Sequence, residues 1–109
     1  SSTPLVQVED ENENMPLDYS ISQNFPNPFN PSTRIRYSLP YASKVKLSIY
    51  NILGEKIADL INGEMNAGYH DINFNANMFA SGVYLYVLEA ESLEGNKSFR
   101  KANKMILLK

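Results

Sequence analysis

The 109-residue chain has no cysteine, no tryptophan and one histidine. Without cysteine, disulfides, thiolate zinc sites, thiol nucleophiles and iron–sulfur clusters are excluded. That absence suits a cytosolic chain and equally an exported one that needs no bridges. No apolar run approaches the roughly 18 residues that cross a bilayer as a helix. Neither a basic n-region nor an apolar h-region opens the sequence, so an exported protein is expected to carry this stretch inside a longer precursor. Positive charge is missing from the first third. Glu9, Asp10, Glu11, Glu13 and Asp18 precede Arg34 with no Lys or Arg among them, whereas five bases and no acid follow from Lys97 onward. The net charge of −2 argues against binding nucleic acid by bulk charge. What is present suffices for a core: 43% of residues are apolar and 20% charged. A chain of this size buries roughly 65% of its extended surface and can fold alone.

Residues 1–16 read as a flexible acidic linker, because the EDENEN run offers nothing to bury against its ordering entropy. Residues 17–109 read as one domain. Leu17, Tyr19 and Ile21 alternate onto one strand face. Three prolines in six residues, Pro26, Pro28 and Pro31, forbid a helix or a central strand. The expectation is a stiff rim, pinned to the core by Phe25 and Phe29, with Phe25–Pro26 a candidate cis bond. Beyond it, Ile35, Tyr37 and Leu39 alternate with charged or polar neighbours, as do Val45, Leu47 and Ile49 after a turn near Pro40. Gly54 suits a positive-φ turn. Residues 55–61 fit a strand or one helical turn. Asn62-Gly63 predicts a turn, closed by Gly68, and Ile72, Phe74 and Ala76 alternate after it. The run from Val83 to Leu88 predicts a strand covered on both faces. Glu94, Gly95 and Asn96 form a hairpin tip, and residues 98–108 are the last strand, paired inside the fold. About seven short strands and no helix of normal length predict an all-β antiparallel sandwich.

Catalytic chemistry finds little support. His70 and Asp71 are neighbours, but adjacent strand residues point to opposite faces and cannot form a dyad by themselves. Glu89 and Glu91 share a face about 7 Å apart, a spacing inverting glycosidases use, yet two carboxylates on a strand are usually a solvated edge. Asp71, Asn73 and Asn75 share a face, although calcium normally draws its oxygens from a loop. No phosphate loop, nucleophile elbow or zinc-helix motif occurs. Tyr84 and Tyr86 share a face and would serve either as core packing or as a platform for sugar rings. The bases from Lys97 to Lys104 would bind acidic groups or protect an edge strand. Asn96-Lys97-Ser98 has the form of a glycosylation sequon. No catalytic residue, metal or cofactor is expected.

Three segments together resemble one family. NFPNPFNPST at residues 24–33, followed by RIRYSLP at 34–40, resembles the opening motif of the C-terminal sorting domains of the type IX secretion system. VKLSIYNILG at 45–54 is similar to the family's middle strand and turn. ASGVYLY at 80–86, with KMILLK at 104–109, is similar to its closing motif. The resemblance covers roughly residues 17–109. It implies an immunoglobulin-like sandwich that directs an N-terminal cargo, in cis, across the outer membrane of a Gram-negative bacterium. The cargo would pass through the periplasm to the surface or the medium. The implied partners are the translocon, its shuttle and a sortase-like surface peptidase cutting in or beside residues 1–16. A monomer is expected. Carried onto this sequence, the recognition candidates are Pro26, Asn27, Pro28, Phe29, Asn30, Pro31, Gly54, Gly82, Tyr84, Lys101, Lys104, Met105, Leu107 and Lys109. The alternative is a glycan-binding or spacer module of a secreted enzyme, which should expose aromatic rings.

Overall fold

The computed structural model describes residues 15–109, so most of the expected linker lies outside the described residues. Seven strands follow in order: β1 (Ser20–Ile21), β2 (Ser32–Leu39), β3 (Ser43–Tyr50), β4 (Lys56–Met65), β5 (Gly68–Asn75), β6 (Gly82–Ser92) and β7 (Ser98–Leu107). They form two antiparallel sheets, β1-β2-β5 and β4-β3-β6-β7. Period-two alternation sets the facing. Ile35, Tyr37 and Leu39 of β2 meet Val45, Leu47 and Ile49 of β3 and Tyr86, Leu88 and Ala90 of β6 in one core. The charged residues between them, among them Arg34, Arg36, Lys44 and Glu89, turn to the outer faces, the arrangement a two-layer sandwich demands.

Residues 19–29 close one side of the sandwich by changing sheets. Ser20 and Ile21 pair with Ser38 and Tyr37 of β2. Phe25 then forms an antiparallel bridge to Arg34, and Phe29 a parallel bridge to Leu107 at the far end of β7. The prolines sit at this crossing, where the missing N–H groups break no ladder. Phe25–Pro26 is cis as expected, and so are Asn27–Pro28 and Asn30–Pro31.

Several expectations are corrected. Phe25 does not pin the rim: it is 75% exposed, and Phe29 alone is buried. The bridge to Arg34 fixes the Phe25 backbone while its ring faces water. Leu17 lies outside β1 and is 89% exposed, although Tyr19 and Ile21 do face inward. Asn62-Gly63 is not a turn. Both residues pair with Lys46 and Val45 within β4, and the chain changes sheets at residues 66–67 instead. The long β3–β4 ladder overrides the local turn preference. Residues 55–61 resolve as strand. The run from Val83 to Leu88 is not covered on both faces, because among the described residues no layer lies over the outer side of β6. Val83 and Leu85 stay partly exposed there, and only Val87 is buried. The last strand ends at Leu107, and Leu108 is exposed. Gly54 has φ +84°, as its turn requires.

Candidate functional site

Most of the recognition candidates converge on one corner. The floor is the end of β7, where Met105 and Leu107 are buried. Against its outer edge lies the proline segment. The Phe29 amide donates to the Ile106 carbonyl (2.9 Å), and the Leu108 amide donates to the Phe29 carbonyl (3.0 Å). The Ile106 amide donates to Asn27 Oδ1 at 2.9 Å. Phe29 packs its ring 6.2 Å from Phe74, beneath the rim. Gly82 and Tyr84 pair with Leu107 and Met105 across the β6–β7 ladder. The Tyr84 hydroxyl donates to the Ala80 carbonyl.

Lys109 completes the corner. Its ammonium donates to the carbonyls of Asn77 (2.6 Å) and Phe79 (2.8 Å). Its amide donates to Ser81 Oγ at 2.9 Å. The loop at residues 76–81 is thereby tied to the end of the last strand. Pro26, Pro28 and Asn30 remain exposed on the rim, and Pro31 is half-buried. Gly54 is not part of this cluster. It lies in the β3–β4 turn, which leaves the same end of the four-stranded sheet because Tyr50 pairs with Leu85. Lys101 also lies away from the corner, paired with Leu88 further along β7. Lys104 sits between, its carbonyl accepting from Gln23 Nε2 at 2.7 Å.

A polar network beneath the rim was not expected from the sequence. The buried Asn24 side chain donates to the Pro26 carbonyl (3.1 Å) and to Thr33 Oγ1 (3.0 Å), while the Thr33 hydroxyl donates to the same carbonyl (2.8 Å). The Asn24 amide donates to the Tyr86 hydroxyl at 2.8 Å, and that hydroxyl donates to the Ser22 carbonyl at 2.7 Å. Asn103 Nδ2 adds a third contact to the Tyr86 oxygen at 3.3 Å. Burial pushes the Tyr86 phenol above its ordinary pKa, against smaller opposing effects from Asn103 and Asn24. Among the described residues no buried side-chain polar atom lacks a partner. The available signal was the composition of the run itself: three prolines donate no N–H, so side chains at its two ends must supply the missing donors.

The other clusters come apart. His70 Nε2 bonds the Asn66 carbonyl (2.8 Å), and its ring stacks on Tyr37 with centroids 5.1 Å apart. Asp71 instead pairs with Arg36 at 2.9 Å, and that bond holds its carboxyl below the usual range. Asp71 and Asn73 stand opposite Arg36 and Arg34, a poor setting for a cation. Glu89 pairs with Arg100 at 3.5 Å and stands opposite Lys46. Tyr86 is fully buried and Tyr84 packs half-buried against the core, so neither offers a sugar platform. The outer face holds an open depression of about 740 Å³, lined by Lys44, Lys46, Glu64, Glu89, Glu91 and Arg100 among others. Its charges alternate in sign across the strands.

Comparison with known proteins locates the chain among relatives. A family model described as a secretion system C-terminal sorting domain matches residues 23–102. A solved structure of a family 123 glycoside hydrolase from Clostridium perfringens, studied for glycolipid glycan hydrolysis, is similar at 16% identity and a TM-score of 0.44. That likeness covers 75% of this chain and 23% of the other. No curated protein matches it significantly.

Proposed function

Because the chain belongs to the C-terminal sorting domains of the type IX secretion system, we propose that residues 17–109 are the address by which the translocon and its shuttle select a cargo. The family is a sorting signal and not a catalytic domain, and it implies a secreted or cell-surface cargo handled by this system. In the reading proposed here, the cargo precedes residues 1–16 in cis and reaches the translocon from the periplasm of a Gram-negative bacterium. A sortase-like surface peptidase then cuts in or beside that acidic segment.

The observation that carries this reading is the family match, which runs from the start of the proline rim into β7. The geometry supports the choice of site. Residues from both ends of the domain, Asn27 and Phe29 at one and Ile106 and Leu108 at the other, are hydrogen-bonded into a single corner. Such a corner exists only after both ends have folded together, so a receptor reading it would select complete domains. Pro26, Pro28 and Asn30 supply its exposed surface, while Phe29, Met105 and Leu107 hold it from below.

The test fuses the whole chain behind a periplasmic reporter in a bacterium that has this translocon. The reporter should reach the surface or medium, and should stay in the periplasm when the translocon is deleted. Retention of a folded fusion in the intact strain would overturn the assignment.

A further inference from the structure

Among the described residues β7 is the edge of its sheet, with β6 as its one ladder neighbour. Its register with β6 runs from Ser98 to Leu107 without a bulge. The even-numbered residues therefore turn both backbone groups away from β6. At Ile106 these groups bond Phe29 and Asn27, and at Lys104 the carbonyl accepts from Gln23. At Ser98, Arg100 and Ala102 no such partner exists among the described residues, and all three are exposed. The proline segment covers one half of the edge and stops.

The open half is set apart by charge. Lys97, Arg100 and Lys101 lie along it, Lys104 stands at its boundary with the covered half, and no acid follows Glu94. Arg100 belongs to the outer face of the sheet, where it pairs with Glu89, and Lys101 to the opposite face, in register with Leu88. A strand laid beside β7 would meet a base on either side of its own pleat. The other two long edges are not basic: β4 is of mixed sign, with Lys56, Asp59 and Glu64, and the charged residue of β5 is Asp71. Edge lysines repel neutral or basic strands. An acidic strand turns the same side chains from barrier to partner, which is how one surface gains selectivity.

We propose that residues 98–102 of β7 are a strand-addition site for an extended acidic peptide segment of a partner. The peptide's backbone pairs with the outward amides and carbonyls of Arg100 and Ala102. Its carboxylates, alternating to both faces, meet Lys101 on one side and Lys97 and Lys104 at the ends. Backbone pairing supplies the geometry, and charge supplies the choice of partner. This inference does not depend on the export reading, because it concerns the purified chain.

The experiment titrates the isotopically labelled full chain with the peptide Thr-Glu-Glu-Val-Glu-Glu-Thr, whose adjacent glutamates project to both faces of an extended strand. Binding should slow amide exchange at Arg100 and Ala102 and should weaken steeply with salt. Two changes separate pairing from attraction. Ala102→Pro deletes an outward N–H and no ladder bond to β6, a position where an edge strand accepts proline; affinity should fall by about tenfold or more, the effect of blocking a backbone pair. The second change leaves the protein untouched and so does not depend on how that variant folds. The same peptide, N-methylated throughout, keeps its charges without its N–H groups and should not bind. Absence of binding by the parent peptide would overturn the proposal. So would equal binding of the N-methylated peptide, or equal binding of a peptide with Lys in place of Glu. Failure of this titration would leave the reporter-export experiment unaffected.

Discussion

From residue 103 to 107 the last strand is enclosed: Met105 and Leu107 are fully buried, and residues 22–29 lie along its outer edge. From residue 98 to 102 the same strand is exposed at four of five positions, and its outer backbone is open. Both halves pair with β6 in one unbroken register. Ladder hydrogen bonds therefore do not distinguish them. What differs is the second neighbour. The enclosed half has a partner from the opposite end of the chain, brought there by the sheet switch at the prolines. The open half has no such neighbour among the described residues, and basic side chains flank it. One strand thus carries two kinds of information, a packed end that depends on the whole fold and a charged end that does not.

Removing the packing should strike the enclosed half hardest. Phe29→Ala deletes a ring that is 2% exposed, and should cost about 3–5 kcal/mol in denaturant unfolding. Leu107→Ala should cost about 2–5 kcal/mol by the same cavity argument. Phe25→Ala is the internal contrast. Its ring is exposed, so the change should stay within about 0.5 kcal/mol. If the two phenylalanines proved equal, the division between a buried pin and an exposed rim would be wrong. Next in size is Tyr86→Phe, which keeps the ring and removes the hydroxyl shared by Asn24, Ser22 and Asn103. The stranded Asn24 amide should make this cost about 1–3 kcal/mol. A neutral result would mean that water replaces the hydroxyl.

The enclosed half was the more legible in sequence. Alternation at Ile35, Tyr37, Val45 and Leu47 identified the core, because burial imposes a period on every strand that faces it. Met105 and Leu107 lie in a continuous apolar run, 105–108, which marks a paired strand but does not say which side chains turn inward. The two phenylalanines were not separable. They occupy similar places among prolines, and only the crossing from β2 to β7 decides which one turns inward. Asn62-Gly63 misled because turn chemistry is a local preference, while the β3–β4 pairing that overrides it is not local. The network of Asn24, Thr33 and Tyr86 was hidden for a related reason. Its members are 62 residues apart at the longest contact, and no short-range pattern links them. Of the recognition candidates, the rim, Tyr84 and the terminal residues gather at one corner, whereas nothing in the local sequence around Gly54 and Lys101 shows that they lie elsewhere.

The open half should answer differently to change. Replacing Lys97, Arg100, Lys101 and Lys104 together with Gln should leave stability within about 1 kcal/mol, since all four are exposed. Export of a fused reporter should fall while unfolding stays cooperative, if the basic edge belongs to the signal. Undiminished export would confine recognition to the enclosed corner and its proline rim. Lys109→Gln sharpens the comparison from the other side. It removes the cation from the carbonyls of Asn77 and Phe79 without touching the open edge. Looser amide protection at residues 77–81 with normal protection at residues 98–102 would show the two regions to be independent.

The smallest effect expected lies away from β7 altogether, on the exposed face of the three-stranded sheet. Asp71 bonds Arg36 across the β2–β5 ladder, and that bond, with smaller help from Arg34 and His70, lowers its pKa against the opposing effect of desolvation. A carboxylate with a folded pKa below its unfolded one stabilises the fold at pH values above the unfolded pKa, about 4. That contribution is lost as the pH falls through the depressed folded value. Asp59, held down chiefly by the Ser48 hydroxyl, should add a parallel loss in the same window. The Arg36–Asp71 pair is exposed and screened by salt, so its share of the loss should be shallow and should shrink further as ionic strength rises. Asp71→Asn should lower neutral-pH stability by the small amount the charged pair contributes and should flatten the decline below about pH 4 by that same amount. Thermal melts of parent and variant across the acid range would measure it. An undiminished acid decline in Asp71→Asn would transfer the effect to Asp59 and its bond to Ser48, on the sheet that ends in β7.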